Sequence, residues 1–184
     1  MKDIISKYDY VKQYIPDPQV RDVADQFFDA AELLWAQPPG SGVVVPAIIN
    51  SVLAIELYFK SLTAYSVIKN IEDYGNGVSG GIVTVEREKS GKTGHELTDL
   101  FDAMEDWIKD ELENKFLGSS IYNSTSKFRG CLSTYDSVFV KVRYVYEDSS
   151  YFKSVNINEL QELMKLTRTT VESLPGKATV FKLP

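Results

Sequence analysis

The stretch that decides the fold is 46-PAIINSVLAIELYFKSLTAYSVIKN-70. Through its middle it is apolar on nearly every side of a helix, whereas a surface helix carries a single apolar stripe. The pattern therefore predicts a helix over Pro46–Asn70 that other helices surround. Two charged residues interrupt it, Glu56 and Lys60, one turn apart and in the order that favours an intrahelical ion pair.

Further helices are predicted on both sides of this one. Asp17 as N-cap and Pro18 at the first helical position begin the first helix. The pairs Thr93/Glu96 and Asn156/Glu159 have the spacing of a capping box. The predicted helices cover about 17–36, 46–70, 94–116, 129–147 and 157–174.

The sequence predicts a mainly α protein, a bundle of four to five helices with a short β-hairpin inserted between helices two and three. Ile82–Val85 is the one convincing strand in the pattern and supplies that hairpin. We expect a single domain over 1–184 with its core at about 17–174, and a tail at 175–184 that is either extended or disordered. Eleven Tyr, nine Phe and two Trp predict a core or an interface rich in rings.

The compartment follows from the same composition. The nearly apolar run Val43–Leu57 is interrupted by Pro46 and polar residues, and the N-terminus lacks the apolar region of a signal peptide. The single cysteine, Cys131, excludes an intrachain disulfide, suits a reducing compartment and is expected to pack on a helix face. We therefore expect a cytoplasmic protein that does not bind membranes.

Charge and residue counts limit the function. A net charge of −6 argues against broad binding to nucleic acid but leaves room for a local basic cleft. One Cys and one His cannot form the usual structural zinc site. The acidic run on the third predicted helix is expected to be its solvated face, so no metal and no cofactor are predicted.

Two glycine motifs resemble nucleotide-binding signatures and fail as such. The stretch 75-GNGVSG-80 fits G-x-G-x-x-G, but it follows a predicted helix and precedes a strand, which reverses the order that a dinucleotide site requires. The stretch 91-GKT-93 ends like a P-loop, yet Glu86 occupies the position where the first glycine of that loop belongs. Both are expected to be loop glycines.

The candidate functional residues are polar groups on apolar faces, because a buried charge needs a partner or a role. Glu56 and Lys60 either form a structural pair or belong to a ligand site. His95, the only histidine, falls in the first turn of the third predicted helix. It either packs there to fix the helix start, or acts as a base or hydrogen-bond acceptor.

Arg143 is the third candidate. It shares a helical face with Phe139 and Tyr146 in the fourth predicted helix. Its guanidinium either ties helices together through Glu147 or holds a phosphate or carboxylate in bidentate fashion. We hypothesise that one polar pocket collects these side chains, Glu56, Lys60, His95, Arg143, Tyr146 and Glu147.

Three segments in this order, 54-AIELYFKSL-62, 94-GHELTDLF-101 and 139-FVKVRYVYE-147, resemble the HEPN superfamily of small helical bundles. The resemblance covers about residues 45–150. The resemblance is to the branch of the superfamily in which a Glu-bearing central helix precedes a G-H-[DE]-L helix start and an R-Y-x-Y-E segment. It implies a bundle that commonly dimerises around a polar cleft. Many members are metal-independent ribonucleases of toxin–antitoxin and antiphage defence systems, and others bind nucleotides or partner proteins.

The ribonuclease motif of that superfamily, an Arg followed four to six residues later by a His, is incomplete here. Positions 148–150 after Arg143 are Asp, Ser and Ser. We therefore expect a homodimeric module that binds a nucleotide, RNA or a partner protein. The expected ligand-binding residues are Glu56, Lys60, His95, Arg143 and Tyr146. The alternative is a metal-independent endoribonuclease with three catalytic residues, His95, Arg143 and Glu147.

Overall fold

The structure is a computed structural model, and it describes residues 10–73, 76, 79–87, 95–122, 127–136, 138–142 and 155–182. The described part of the chain is mainly helical with a small antiparallel sheet, and a helical bundle fits it broadly. Its helices are α1 (Pro18–Trp35), α2 (Val44–Thr63), α3 (Leu97–Asp102), α4 (Asp106–Leu117), α5 (Phe128–Tyr135), α6 (Val138–Val142) and α7 (Ile157–Ser173).

Helix α2 is the centre of the bundle. It packs against α1, α3, α6 and α7, and most of its residues are buried. By length and composition it could span a membrane, with a mean hydropathy of 1.4, but 61% of that window is buried inside this protein. The continuous apolar pattern therefore reflects neighbours on several sides, as the sequence predicts.

Aromatic rings fill the core beside α2. Phe128 of α5 lies at the middle of this cluster, with its ring centroid 5.3 Å from that of Phe101 and 5.4 Å from that of Phe116. Phe59 of α2 completes it at 6.5 Å in an edge-to-face arrangement. Such ring pairs add directional contacts to the burial of apolar area, so the cluster fixes how α3, α4 and α5 sit on α2.

The sheet contains four strands, β1 (Tyr10–Ile15), β2 (Ala64–Asp73), β3 (Ser79–Arg87) and β4 (Lys177–Lys182), in the order β3-β2-β1-β4. All pairs are antiparallel. The registers include Tyr10 opposite Ile68, Ile15 opposite Lys177 and Ala64 opposite Arg87. The predicted strand Ile82–Val85 lies within β3, and the tail supplies β4, whereas β1 was not predicted.

The prediction that the second helix runs to Asn70 is wrong. Helix α2 ends at Thr63, and β2 begins at Ala64. The residues that follow include Tyr, Val and Ile, which fit an extended strand better than a helix. Here they pair with β1 on one side and β3 on the other. Those strand contacts override the continued apolar pattern.

The third predicted helix is also wrong as a single element, because the chain breaks between α3 and α4. Glu105 has an extended backbone, with φ −64° and ψ 146°. Its carboxylate accepts hydrogen bonds from Trp107 Nε1 at 2.7 Å and Lys177 Nζ at 3.0 Å. These contacts hold the bend, and Met104 beside it is buried.

The capping box predicted from Thr93 and Glu96 is not what begins α3. Glu96 is at the N-cap but its side chain makes no capping bond, and Thr93 lies outside the described residues. Asp136 caps the helix instead: its Oδ1 accepts from the Thr98 amide at 3.1 Å and its Oδ2 from the Thr98 hydroxyl at 2.6 Å. Asp136 is extended, which divides the fourth predicted helix into α5 and α6.

The first and last helices agree with the sequence prediction. Asp17 Oδ1 accepts hydrogen bonds from the amides of Gln19 and Val20, and Pro18 occupies the first turn. The side chain of Asn156 accepts from the amide of Glu159 at 3.2 Å. Both caps use only neighbouring residues, which is why the sequence shows them.

Candidate functional site

Two charged side chains are buried together on helix α2. The side chain of Glu56 is 2% exposed and that of Lys60 is 7% exposed. The Lys60 ammonium donates a hydrogen bond to Glu56 Oε1. Two ionised groups at this depth require each other, because an isolated buried charge is strongly disfavoured. The pair that the sequence spacing predicts is therefore present, inside the bundle.

His95 reaches the same carboxylate from another part of the chain. It lies just before α3, not in its first turn as predicted, and 39 positions from Glu56 in sequence. Its Nδ1 is 3.1 Å from Glu56 Oε1, the oxygen that also accepts from Lys60. When Nδ1 carries the proton and donates to Glu56, the lone pair of a neutral ring is on Nε2.

The two residues after His95 explain how the imidazole is positioned. Leu97, the first residue of α3, is fully buried, and α3 packs on α2. Thr98 is tied through both its amide and its hydroxyl to Asp136 at the end of α5. The start of α3 is therefore fixed from two sides, while the His95 side chain remains 53% exposed.

Only one of the two carboxylate oxygens of Glu56 is hydrogen-bonded among the described residues. Its Oε2 is buried and has no hydrogen-bond partner within the described part of the chain. A buried carboxylate oxygen without a donor is unfavourable by about 1–3 kcal/mol, more when charged. Asp99 Oδ2 on α3 is in the same condition among the described residues. Unlike Asp99, Glu56 belongs to a cluster that includes a half-exposed imidazole.

Arg143, Tyr146 and Glu147 lie outside the described residues, so the structure brings together three of the six residues of the predicted pocket. Helix α6 ends one residue before Arg143, packs against α2 and buries Val142. Within the described ranges, no group of three or more His, Cys, Asp and Glu side chains could hold a metal ion. We call Glu56, Lys60 and His95 the polar cluster.

A second polar network was missed by the sequence reasoning. Tyr58 is fully buried and its hydroxyl donates to Asp25 Oδ1 of α1 at 2.5 Å. Arg168 of α7 lies over the Phe28 ring at 4.3 Å and donates to Glu172 at 2.9 Å. Positions 56 and 58 of one helix are about 200° apart around its axis, so this network ties α1, α2 and α7 on the far side of α2 from the polar cluster.

The electrostatic environment of Tyr58 fits a structural role for this network. Burial, the hydrogen bond to Asp25 and the charge of Asp25 all raise the pKa of Tyr58 above its ordinary value. The Tyr58 phenol therefore stays protonated and donates. A tyrosine in a largely apolar helix was the available signal, since a buried hydroxyl needs a partner.

Cys131 is buried in α5, as its predicted packing role requires. Its Sγ lies 3.7 Å from Glu159 Oε1. Burial and the nearby Glu159 carboxylate raise the pKa of the thiol to about 12. The thiolate that nucleophilic or redox chemistry needs is therefore disfavoured at neutral pH.

Comparison with protein-family models, with curated protein sequences and with solved structures returned no match.

Proposed function

We propose that this chain is a cytoplasmic HEPN-like module that binds a nucleotide or RNA, with the polar cluster as its ligand site. In this proposal the fold is a bundle of four or five helices, with α3/α4 and α5/α6 each counted as one interrupted helix. Strands β2 and β3 are the inserted hairpin, and two copies form a homodimer. The family remains a prediction from the three sequence segments, and the polar cluster lies on two of them, 54–62 and 94–101.

The observation that carries the proposal is the unfilled bonding capacity of Glu56. In a purely structural ion pair, the remaining polar atoms are expected to be satisfied. Here Oε2 has no donor among the described residues, and the imidazole on Oε1 is half exposed. Polar groups that are buried, incompletely bonded and next to solvent are typical of ligand sites.

Arg143, a site residue predicted from the sequence, adds a reason to expect a phosphate-bearing ligand. It follows Val142, which is buried in a helix that packs against α2. In this proposal the Arg143 guanidinium supplies the cation that a nucleotide phosphate needs. The acidic balance of the whole chain fits a local site for one or two nucleotides better than a broad nucleic-acid surface.

The test is binding of a fluorescein-labelled mixed-sequence RNA, and of a pool of ribonucleoside monophosphates, in EDTA. His95→Ala should weaken binding by about tenfold, the effect of one lost hydrogen bond to a charged group; because it also removes the contact with the Glu56 carboxylate, binding is compared at a temperature where urea denaturation shows both proteins to be folded. Glu162→Ala, on the exposed side of α7, is the control and should bind as the wild type does. Because the chain has one histidine, its imidazole NMR signals report directly whether the ligand reaches the cluster.

Absence of binding by either probe would refute the nucleotide proposal and leave a partner protein as the ligand class. Equal binding by wild type and His95→Ala, with unchanged imidazole signals, would place the ligand elsewhere. If only the mononucleotides bind, the ligand is a free nucleotide rather than RNA.

A second candidate function, metal-independent RNA cleavage, is favoured by one contact, that between His95 Nδ1 and Glu56 Oε1 at 3.1 Å. A carboxylate that holds one ring nitrogen orients the other as a base. In this reaction Nε2 takes the proton of a ribose 2′-hydroxyl, and the 2′-oxygen forms a bond to phosphorus. The bond from phosphorus to the 5′-oxygen then breaks, and that oxygen receives a proton. Arg143 would stabilise the phosphorane charge and Glu147 would help to orient the imidazole.

Cleavage of the labelled RNA in EDTA by wild type, absent in a folded His95→Ala variant, would establish this second function. The products should carry a 2′,3′-cyclic phosphate and a 5′-hydroxyl. If the wild type binds the RNA and leaves it intact, the protein is a binding module.

A further inference from the structure

We infer that Glu56 Oε2 recognises the 2′-hydroxyl of a ribose, so that the polar cluster selects ribonucleotides over deoxyribonucleotides. This inference rests on the proposed function and adds to it the part of the ligand that enters the site. It follows from which atoms of the cluster still need a partner and from what a nucleotide can offer them.

The bonding partners of Glu56 are unevenly divided between its two oxygens. Oε1 takes the hydrogen bond from Lys60 and lies 3.1 Å from His95 Nδ1. Oε2 is buried with no partner among the described residues. An ionised carboxylate only accepts hydrogen bonds, so the missing partner is a donor.

This requirement excludes much of a nucleotide from direct contact with Oε2. Phosphate oxygens and base carbonyls accept hydrogen bonds, and a phosphate would also be repelled by the carboxylate. The groups that can donate are the ribose hydroxyls and the N–H groups of the base edges. The 2′-hydroxyl is the donor present in every ribonucleotide and missing from every deoxyribonucleotide.

The burial of Oε2 favours the hydroxyl over a base edge. Glu56 is 2% exposed, and both Val52 and Phe59 on the same helix are buried. Of the described groups bonded to the carboxylate, Lys60 is buried and the His95 ring is half exposed. A donor that reaches an oxygen buried this deeply must be small, and a single hydroxyl is smaller than the edge of a flat base.

The experiment uses one mixed-sequence oligonucleotide made in four forms, with 2′-hydroxyl, 2′-amino, 2′-deoxy and 2′-fluoro sugars. The 2′-fluoro sugar keeps size and polarity but cannot donate. We expect the 2′-deoxy and 2′-fluoro forms to bind the wild type about tenfold or more weakly than RNA, since a site built around a hydrogen bond rejects analogues that lack it. The 2′-amino form, which donates, should bind closer to RNA.

Glu56→Gln should reduce the ratio of DNA to RNA dissociation constants to near 1, because the amide no longer presents two accepting oxygens. Since this change leaves Lys60 without its counter-charge, the double variant Glu56→Gln/Lys60→Met is measured as well and should give the same ratio. Glu172→Gln, an exposed carboxylate on α7, is the matched control and should keep the wild-type preference.

The outcomes separate the inference from the function on which it rests. Equal binding of all four sugars, or a fluoro form that binds as RNA does, overturns the inference and leaves the binding function in place. A ribose preference that persists in both Glu56 variants places the 2′-hydroxyl elsewhere. No binding by any form removes both the function and the inference.

Discussion

Lys60→Met should destabilise the protein strongly because it leaves a carboxylate buried without its cation. Lys60 and Glu56 have side chains that are 7% and 2% exposed, so water cannot replace the lost ammonium. Removing one member of a buried ion pair costs about 3–5 kcal/mol. Methionine fills the volume of the lysine stem, so loss of packing adds little.

The contact of His95 with Glu56 should reduce the stability that Lys60→Met loses. Its Nδ1 already lies 3.1 Å from the same carboxylate oxygen, and its ring is half exposed. A hydrogen bond to a charged group is worth about 1.5–3 kcal/mol. Part of it exists in the wild type, so the expected net loss for Lys60→Met is about 2–3 kcal/mol.

The double variant Glu56→Gln/Lys60→Met removes both charges. Its free energy of unfolding should lie within about 1 kcal/mol of the wild-type value. Urea denaturation followed by far-UV circular dichroism measures all the variants at one temperature and pH. Lys165→Met is the matched control, because Lys165 is 44% exposed and 3.8 Å from Glu32; it should change stability by less than about 0.5 kcal/mol. Strict additivity of the two single losses would refute the reasoning, since a buried pair must show coupling.

Three further predictions concern the rest of the fold. Tyr58→Phe removes the hydrogen bond to Asp25 and should lower the free energy of unfolding by about 1–2 kcal/mol in urea at pH 7. The raised pKa of Tyr58 means that the folded state keeps a proton that the unfolded state loses above pH about 10. Wild-type stability should therefore fall above that pH by about 1.4 kcal/mol per pH unit relative to Tyr58→Phe, and parallel curves would contradict this. Asp136→Ala removes the cap of α3 and leaves the Thr98 hydroxyl unbonded, so urea midpoints should report a loss of about 1–2 kcal/mol; no loss would mean that the cap does not hold α3. Cys131, whose thiol has a pKa of about 12, should not react with Ellman's reagent at pH 8 until urea unfolds the protein, and rapid labelling of the folded form would contradict its burial.

The parts of the fold that the sequence predicts depend on neighbouring residues. Asp17 and Asn156 cap helices whose amides follow within three positions, and both caps are present. The central helix can be predicted because apolar residues occupy several of its sides. In each case the information lies within about one or two turns of helix, which a local pattern can carry.

The parts that the sequence does not predict depend on distant contacts. Helix α2 stops at Thr63 because β2 pairs with β1, whose residues lie some fifty positions earlier. The break at Glu105 is held by Lys177, 72 positions later. Asp136 caps α3 from 38 positions away. Its extended backbone also breaks the fourth predicted helix into α5 and α6. No local pattern contains these partners.

The candidate site was partly predictable for the same reason. Glu56 and Lys60 are neighbours on one helix, and their spacing shows the pair directly. The approach of His95 could only be hypothesised, because it depends on how α3 packs on α2. The buried Tyr58 hydroxyl signalled the need for a partner, but Asp25 is 33 positions away and was not identified.

The stability and binding experiments together decide why the chain keeps a buried ion pair. If the double variant is as stable as the wild type, the pair adds little net stability, as is common when an ion pair is compared with uncharged residues of similar size. Loss of the ribose preference in that same stable variant would then assign the pair to recognition. If the double variant instead unfolds several kcal/mol more easily, the Glu56 carboxylate holds α2 to the start of α3. In that case a lower affinity for RNA would follow from a loosened site, and only the unmodified protein with the four sugar forms could still distinguish recognition from scaffolding.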